Sequence, residues 1–196
     1  VSFGEGEGVW ESARGTMVPF YARNVVTVEQ KMAPVPVEEL VPILMSGYGG
    51  EGEMLSLVNT GKMVKETREI KGFRQDKVFN AGLELKPFLN AGGKGIVWAS
   101  IALKQPYKAA PVSSYWYDGS KTALIQVTDL GLTLKYSPEE CLVHVTSLSS
   151  ARPVAGCQVE IRSMDNRVIA AAVTDERGIA ASDKAPFSVP EGEYAS

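Results

Sequence analysis

Apolar residues along this chain recur mainly at every second position, the period that sends alternate side chains to opposite faces of a β-strand. Met17 to Val28 reads MVPFYARNVVTV, rich in β-branched and aromatic residues, and Pro19 within it suits an edge strand or a strand start. Gly95 to Tyr107 is the strongest strand of the first half, with Val97, Ala99, Ile101 and Leu103 on one face. Between them, Val35 to Gly47 carries Pro36, Glu38 and Glu39, then Leu40, Val41, Leu44 and Met45, the order of a short helix with early acids. Pro42 interrupts that pattern, so a single helical turn is expected. Gly47 to Gly52 is expected as a loop, and Met54 to Val58 alternates over a short span. Lys62 to Lys77 is charged and fits strand or helix; strand is preferred, ending at the Lys71-Gly72 turn. Leu83, Leu85, Phe88 and Leu89 punctuate a segment that ends at the turn opened by Asn90.

The second half is more regular. Thr122 to Val127 predicts a strand, and Leu130 to Ser137 continues the alternation with Leu130, Leu132 and Leu134 on one face. Ser137 to Glu140 turns the chain, and Cys141 to Leu148 returns as a strand. Val159 and Ile161 mark the next strand, Met164 to Arg167 a hairpin tip, Val168 to Thr174 its return, and Thr174 to Gly178 a further turn before Ile179. Short strands with turn signals every 8–12 residues or so predict antiparallel sandwiches. No alternation of strand and helix suggests a parallel nucleotide-binding sheet. The expected fold class is therefore all-β: two consecutive antiparallel β-sandwich domains, 1–125 and 126–196, with at most short helical turns. The second domain is expected to lack its last strands. Val1 and Ser196 both fall mid-pattern, so the expectation is of a segment cut from a longer chain.

Composition narrows the function classes. Of 196 residues, 44% are apolar and 22% charged, which suits folded cores rather than wholesale disorder. A formal net charge of −3 gives no global electrostatic reason to bind nucleic acid or an anionic membrane. No run of apolar residues is long enough to span a bilayer as a helix, and the N-terminus has no signal-peptide pattern. The two cysteines, Cys141 and Cys157, lack metal-site spacing. They read either as small buried apolar side chains or as one intradomain disulfide, since Cys141, Val143 and Val145 share one strand face and Cys157, Val159 and Ile161 another.

Candidate chemistry is sparse. His144, between Val143 and Val145, is the sole histidine; Ser147, Ser149 and Ser150 lie nearby, but no G-x-S-x-G elbow accompanies them. Glu160 and Asp165 read as strand and hairpin surface charges. The glycine-rich runs at Gly4, Gly47 and Ala91 lack Walker spacing, and the carboxylates in the first two would repel phosphate. Glu38-Glu39, Glu66 with Glu69, and Glu139-Glu140 read as solvated faces. Tyr115, Trp116 and Tyr117 cluster in one loop, either an interdomain plug or, if exposed, a carbohydrate or partner contact. The sequence thus assigns no catalytic, cofactor-binding or metal-ligating residue and no enzymatic activity. The alternative it leaves is an extracytoplasmic adhesin or carbohydrate-binding sandwich that uses Tyr115 to Tyr117.

Thr128-Asp129, Gly131-Leu132, Pro153-Val154, Gly156, Val159, Thr174-Asp175 and Gly178 form a pattern similar to the repeated domains of bacterial alpha-2-macroglobulins. The pattern has physical sense: Pro153 fixes φ at a crossing, Gly156 and Gly178 suit positive φ, and Asp129 and Asp175 can each accept from a backbone N–H two residues on. About 60 residues carry the resemblance, and the first 120 or so fit as a preceding domain. The resemblance implies macroglobulin or fibronectin-III-like sandwiches serving as scaffold in a broad-spectrum peptidase inhibitor, with a bait region and often an internal thioester elsewhere. It implies a periplasmic setting with the parent lipid-anchored to the inner membrane, and a role in bacterial defence. Its implied partners are neighbouring macroglobulin domains and, through the full-length protein, target peptidases, with no nucleic acid, cofactor or membrane contact by this segment. The thioester needs Cys-x-Glu-Gln, but Cys141 precedes Leu-Val-His and Cys157 precedes Gln-Val-Glu, so neither supplies it.

Overall fold

In the computed structural model, residues 1–4, 8–45, 62–71, 74–104, 120–137 and 140–182 are described. The expected Gly47 to Gly52 loop, the Met54 to Val58 alternation, the Tyr115 to Tyr117 cluster and the Pro138-Glu139 part of its turn lie outside them. The chain divides into two compact units, Val1–Thr128 and Asp129–Ser196.

In the first unit, β1 (Gly8–Glu11), β3 (Thr27–Val35), β4 (Val64–Glu69), β6 (Gly95–Leu103) and β7 (Ser120–Thr128) make one sheet in the order β1-β7-β6-β3-β4. β2 (Met17–Arg23) and β5 (Val78–Glu84) make a second, two-stranded sheet. All these pairings are antiparallel except that of β1 with β7, which is parallel and departs from the wholly antiparallel expectation. Apolar side chains from both sheets fill one core: Val18 and Phe20 of β2 and Leu83 of β5 meet Val28, Val97, Ile101 and Ile125, each 0% exposed. Pro19 sits where the sequence suggested, on a strand with a single partner, facing Gly82 of β5.

β6 is buried on both faces. Val97, Ala99 and Ile101 enter the core, while Ile96 and Trp98 pack with Ala33 and Val35 of β3 and Ile43 of α1 (Val37–Met45). That explains its nearly unbroken apolar run, which a sheet solvated on one face would not need. Leu103, on the same face by alternation, lies at the strand end and is 46% exposed. The helix is also longer than the single turn expected, at 9 residues with Pro42 inside. A proline there removes one helical hydrogen bond, and burial of Ile43 to 2% exposure compensates by fixing the helix on the sheet. β4, correctly expected as a strand, is exposed along its whole length, and its charged residues blunt a sheet edge.

In the second unit, β8 (Leu130–Tyr136), β9 (Cys141–Ser147) and β12 (Ile179–Ser182) form a sheet in the order β12-β9-β8, and β10 (Gln158–Arg162) pairs with β11 (Val168–Val173) as the expected hairpin. Cys141, Val143 and Val145 of β9, Val159 of β10 and Ala180 of β12 form its core. The cross-strand register pairs Leu132 with Val145 and Leu134 with Val143, so these leucines share the core side of the sheet. Yet Leu132 is 62% and Leu134 46% exposed. The facing β10–β11 layer is two strands wide among the described residues, against three in the sheet it covers, and Leu130 at the start of β8 packs against the core while Leu132 and Leu134 stay exposed.

Candidate functional site

The residues singled out in the sequence form turn clamps rather than a reactive cluster. At the turn between β11 and β12, Asp175 Oδ1 accepts from Arg177 N and Ile179 N, both at 2.9 Å, the first being the bond expected two residues on. Those bonds hold the Asp175 carboxyl below its ordinary value, Ile179 N–H being the largest cause and Arg177 adding to it. Gly178 closes the turn at φ +72, and its N–H donates to Asp175 O at 2.8 Å. Gly156, at φ +71, likewise takes the left-handed conformation anticipated for it.

Asp129 behaves differently from expectation. Its Oδ1 accepts from Ser149 N at 3.0 Å and its Oδ2 from Ser147 Oγ at 2.8 Å, so it ties the start of β8 to the loop after β9 instead of bonding two residues on. Ser150 N and Ser150 Oγ both donate to Ser147 Oγ, at 3.1 and 2.9 Å. The three serines near His144 are thereby committed to one loop. His144 stands half-buried on β9, and strand alternation sends it and Ser147 to opposite faces. The arrangement orders a loop; it does not align a base with a nucleophile.

Thr174 is the structural residue that sequence reading undervalued. It is 4% exposed, donates through Oγ1 to Val154 O at 2.7 Å and accepts from Cys157 N at 2.8 Å. A lone threonine before an aspartate signals a turn but does not say which distant backbone its hydroxyl will meet. Cys141 and Cys157 are both free thiols, the first buried and the second half-buried, each packed into the second core. That favours the first of the two readings given to them. Glu160 pairs with Arg162 at 2.6 Å, and Asp165 is held below its ordinary value by the Ser163 hydroxyl first and by Arg167. Glu38, Glu66, Glu69 and Glu140 are exposed, as their reading as solvated faces requires, and Glu39 is half-buried. Among the described residues there is no group of three or more His, Cys, Asp or Glu that could hold a metal ion, and no helix long and apolar enough to cross a membrane.

Residues 127–193 match the family of the bacterial alpha-2-macroglobulin MG3 domain. The second unit is thus similar to that domain. Solved structures share the fold over most of the chain. Native alpha-2-macroglobulin from Escherichia coli spanning domains MG0-NIE-MG1 superposes with a TM-score of 0.59 at 16% identity, over 86% of this chain and 52% of that one. The same protein spanning NIE-MG1 gives a TM-score of 0.61 at 14% identity, over 86% of this chain and 78% of that one. Trypsin-activated alpha-2-macroglobulin from Escherichia coli gives 0.65 at 15% identity, over 93% of this chain and 12% of that one. The chain thus spans about half the length of the first of these structures. No curated protein matches it by sequence.

Proposed function

We propose that this chain is a structural segment of a bacterial alpha-2-macroglobulin-like inhibitor, one that traps a broad range of peptidases when bait cleavage triggers rearrangement. The observation that carries this reading is the MG3 match over 127–193, falling on a unit whose motif residues serve turn geometry. On this reading Asp129, Thr174, Asp175 and Gly178 keep the domain rigid, neighbouring macroglobulin domains are its partners, and no residue here performs catalysis. The setting is the periplasm, and the reactive parts of the trap lie on other domains.

The test uses the complete reading frame containing this chain. The full-length protein is incubated with trypsin, and residual activity is measured on a large protein substrate and on a small peptide substrate. A trap predicts loss of activity toward the large substrate with the small one still cleaved, and no inhibition by the 196-residue chain alone. Equal activity toward both substrates, with and without the inhibitor, would refute the assignment. Loss of an activity in a His144→Ala variant would refute the non-catalytic role.

A further inference from the structure

In the first unit β4 ends the large sheet with β3 as its one neighbour among the described strands, and it is exposed along its whole length. One bond fixes its hydrogen-bonding phase. Ile70 N donates to Val26 O at 2.8 Å, in the same register that sets Arg68 opposite Val28 and Glu66 opposite Gln30. In an antiparallel ladder, opposed pairs that exchange bonds alternate with pairs that do not. Glu66 and Arg68 therefore turn their backbone N–H and C=O toward β3. Those of Lys65, Thr67 and Glu69 point the other way, to the open edge, where no described strand meets them. An edge of that kind is a template for one more strand.

The side chains say which strand fits. Glu66 and Arg68 lie on the face toward β5, and Lys65, Thr67 and Glu69 on the other. Their charges are unevenly satisfied. Lys65 at 3.0 Å and Lys31 at 3.6 Å share the single carboxylate of Glu29, and Arg68 Nη1 rests on a carbonyl, Gly82 O, at 2.6 Å. Glu66 and Glu69 have no ion-pair partner among the described residues. Laid antiparallel against a second copy of itself, β4 can use its outward groups only in registers that oppose Lys65, Thr67 and Glu69 with one another. Centring the pair on any charged residue of the strand sets that charge against itself. Centring it on Thr67 opposes Lys65 with Glu69 and Glu66 with Arg68. Every charged residue then meets its opposite on its own face of the sheet.

We propose that β4 pairs antiparallel with β4 of a second copy of this chain about Thr67, joining two large sheets edge to edge. Lys65, Thr67 and Glu69 exchange backbone bonds with their counterparts across the junction. The charges that deter an unmatched strand thereby select this partner and this register. A contact built on one strand of 6 residues is small, so the dimer is weak and reversible. The pairing does not depend on whether the parent protein traps peptidases.

The test is sedimentation equilibrium of the 196-residue chain. Between about 10 µM and about 1 mM it should show a monomer–dimer equilibrium with a Kd on the order of 0.1 mM, weakened several-fold in about 0.5 M salt. Glu66→Arg and Arg68→Glu, both at exposed positions, should each raise that Kd at least about tenfold, because each opposes like charges on both sides of the dyad. An equimolar mixture of the two variants should associate again within about threefold of the original Kd, and so should the variant carrying both changes. Thr67→Pro removes an N–H that faces the open edge; it should abolish association and leave the circular dichroism spectrum unchanged. A chain that stays monomeric throughout the range, undiminished association in Thr67→Pro, or a mixture no tighter than its separate components would each overturn the proposal.

Discussion

Replacing Gly178 by alanine should be far more damaging than the same change at Gly156, although both glycines have nearly the same φ, +72 and +71. Each substitution forces an L side chain into the left-handed region, a cost of about 1–2 kcal/mol. At Gly156 nothing lies within 4 Å of an added Cβ, so that backbone cost is the whole effect. At Gly178 an added Cβ would meet Val145 O at 2.5 Å, Pro153 Cβ at 3.0 Å and Val154 N at 3.1 Å. These are backbone and proline-ring atoms with no rotamer to swing away. Relief must come from moving the turn off β9, which strains the bond from Val145 N to Gly178 O at 2.8 Å and that from Val154 N to Val145 O at 3.0 Å. Two backbone bonds at about 1 kcal/mol each bring the total to about 3 kcal/mol. Amide hydrogen exchange at Val145 and Val154 reads this directly, since the three tryptophans (Trp10, Trp98 and Trp116) all lie in the first unit and leave the second without an indole probe. Exchange should accelerate roughly a hundredfold in Gly178→Ala and about tenfold in Gly156→Ala. Equal acceleration in the two variants would refute the close approach on which the argument depends.

Three further outcomes follow from the same geometry. Thr174→Val should cost about 2 kcal/mol in urea unfolding, because Cys157 N and Val154 O lose their shared hydroxyl in a buried place; Thr174→Ser should recover most of it. Stability should fall as pH drops below about 4: Asp175 and Glu84 have folded pKa values lowered from 3.8 and 4.5, so their contribution is complete above those unfolded values and is lost as pH passes down through the folded ones. Asp175→Asn should flatten that acid limb in a pH series of thermal melts, and an unchanged limb would exclude Asp175 from it. Val145→Ala, at 0% exposure, should cost about 2 kcal/mol, while Leu134→Ala, at 46%, should cost under about 1 kcal/mol; a chemical denaturation series compares them.

The strands of the second unit were legible because its two faces differ in polarity. Cys141, Val143 and Val145 alternate with half-buried neighbours, and a period of two carries that information without tertiary help. The turns were legible for a related reason: Gly178 and Gly156 need a conformation few other residues accept, so their identity reports their φ. In the first unit the same reasoning found β6 but misjudged its surroundings. Val97 and Ile101 mark one face, yet Ile96 and Trp98 are equally buried by α1, a helix whose Pro42 argued for a shorter element than burial in fact sustains.

What the sequence could not carry was choice of partner across a distance. An aspartate after a strand is locally competent to bond two residues on, and Asp175 does so, but Asp129 instead reaches Ser147 and Ser149 on the far side of a β-hairpin. The two differ in what the fold brings within reach, not in side-chain chemistry. The same limit applies to Gln30: alternation assigns it to the core side of β3, where an amide is out of place, but only the register with Glu66 and the approach of Glu84 reveal which groups accompany it. Local chemistry therefore predicts the conformation of a turn well and the company of a buried polar atom poorly.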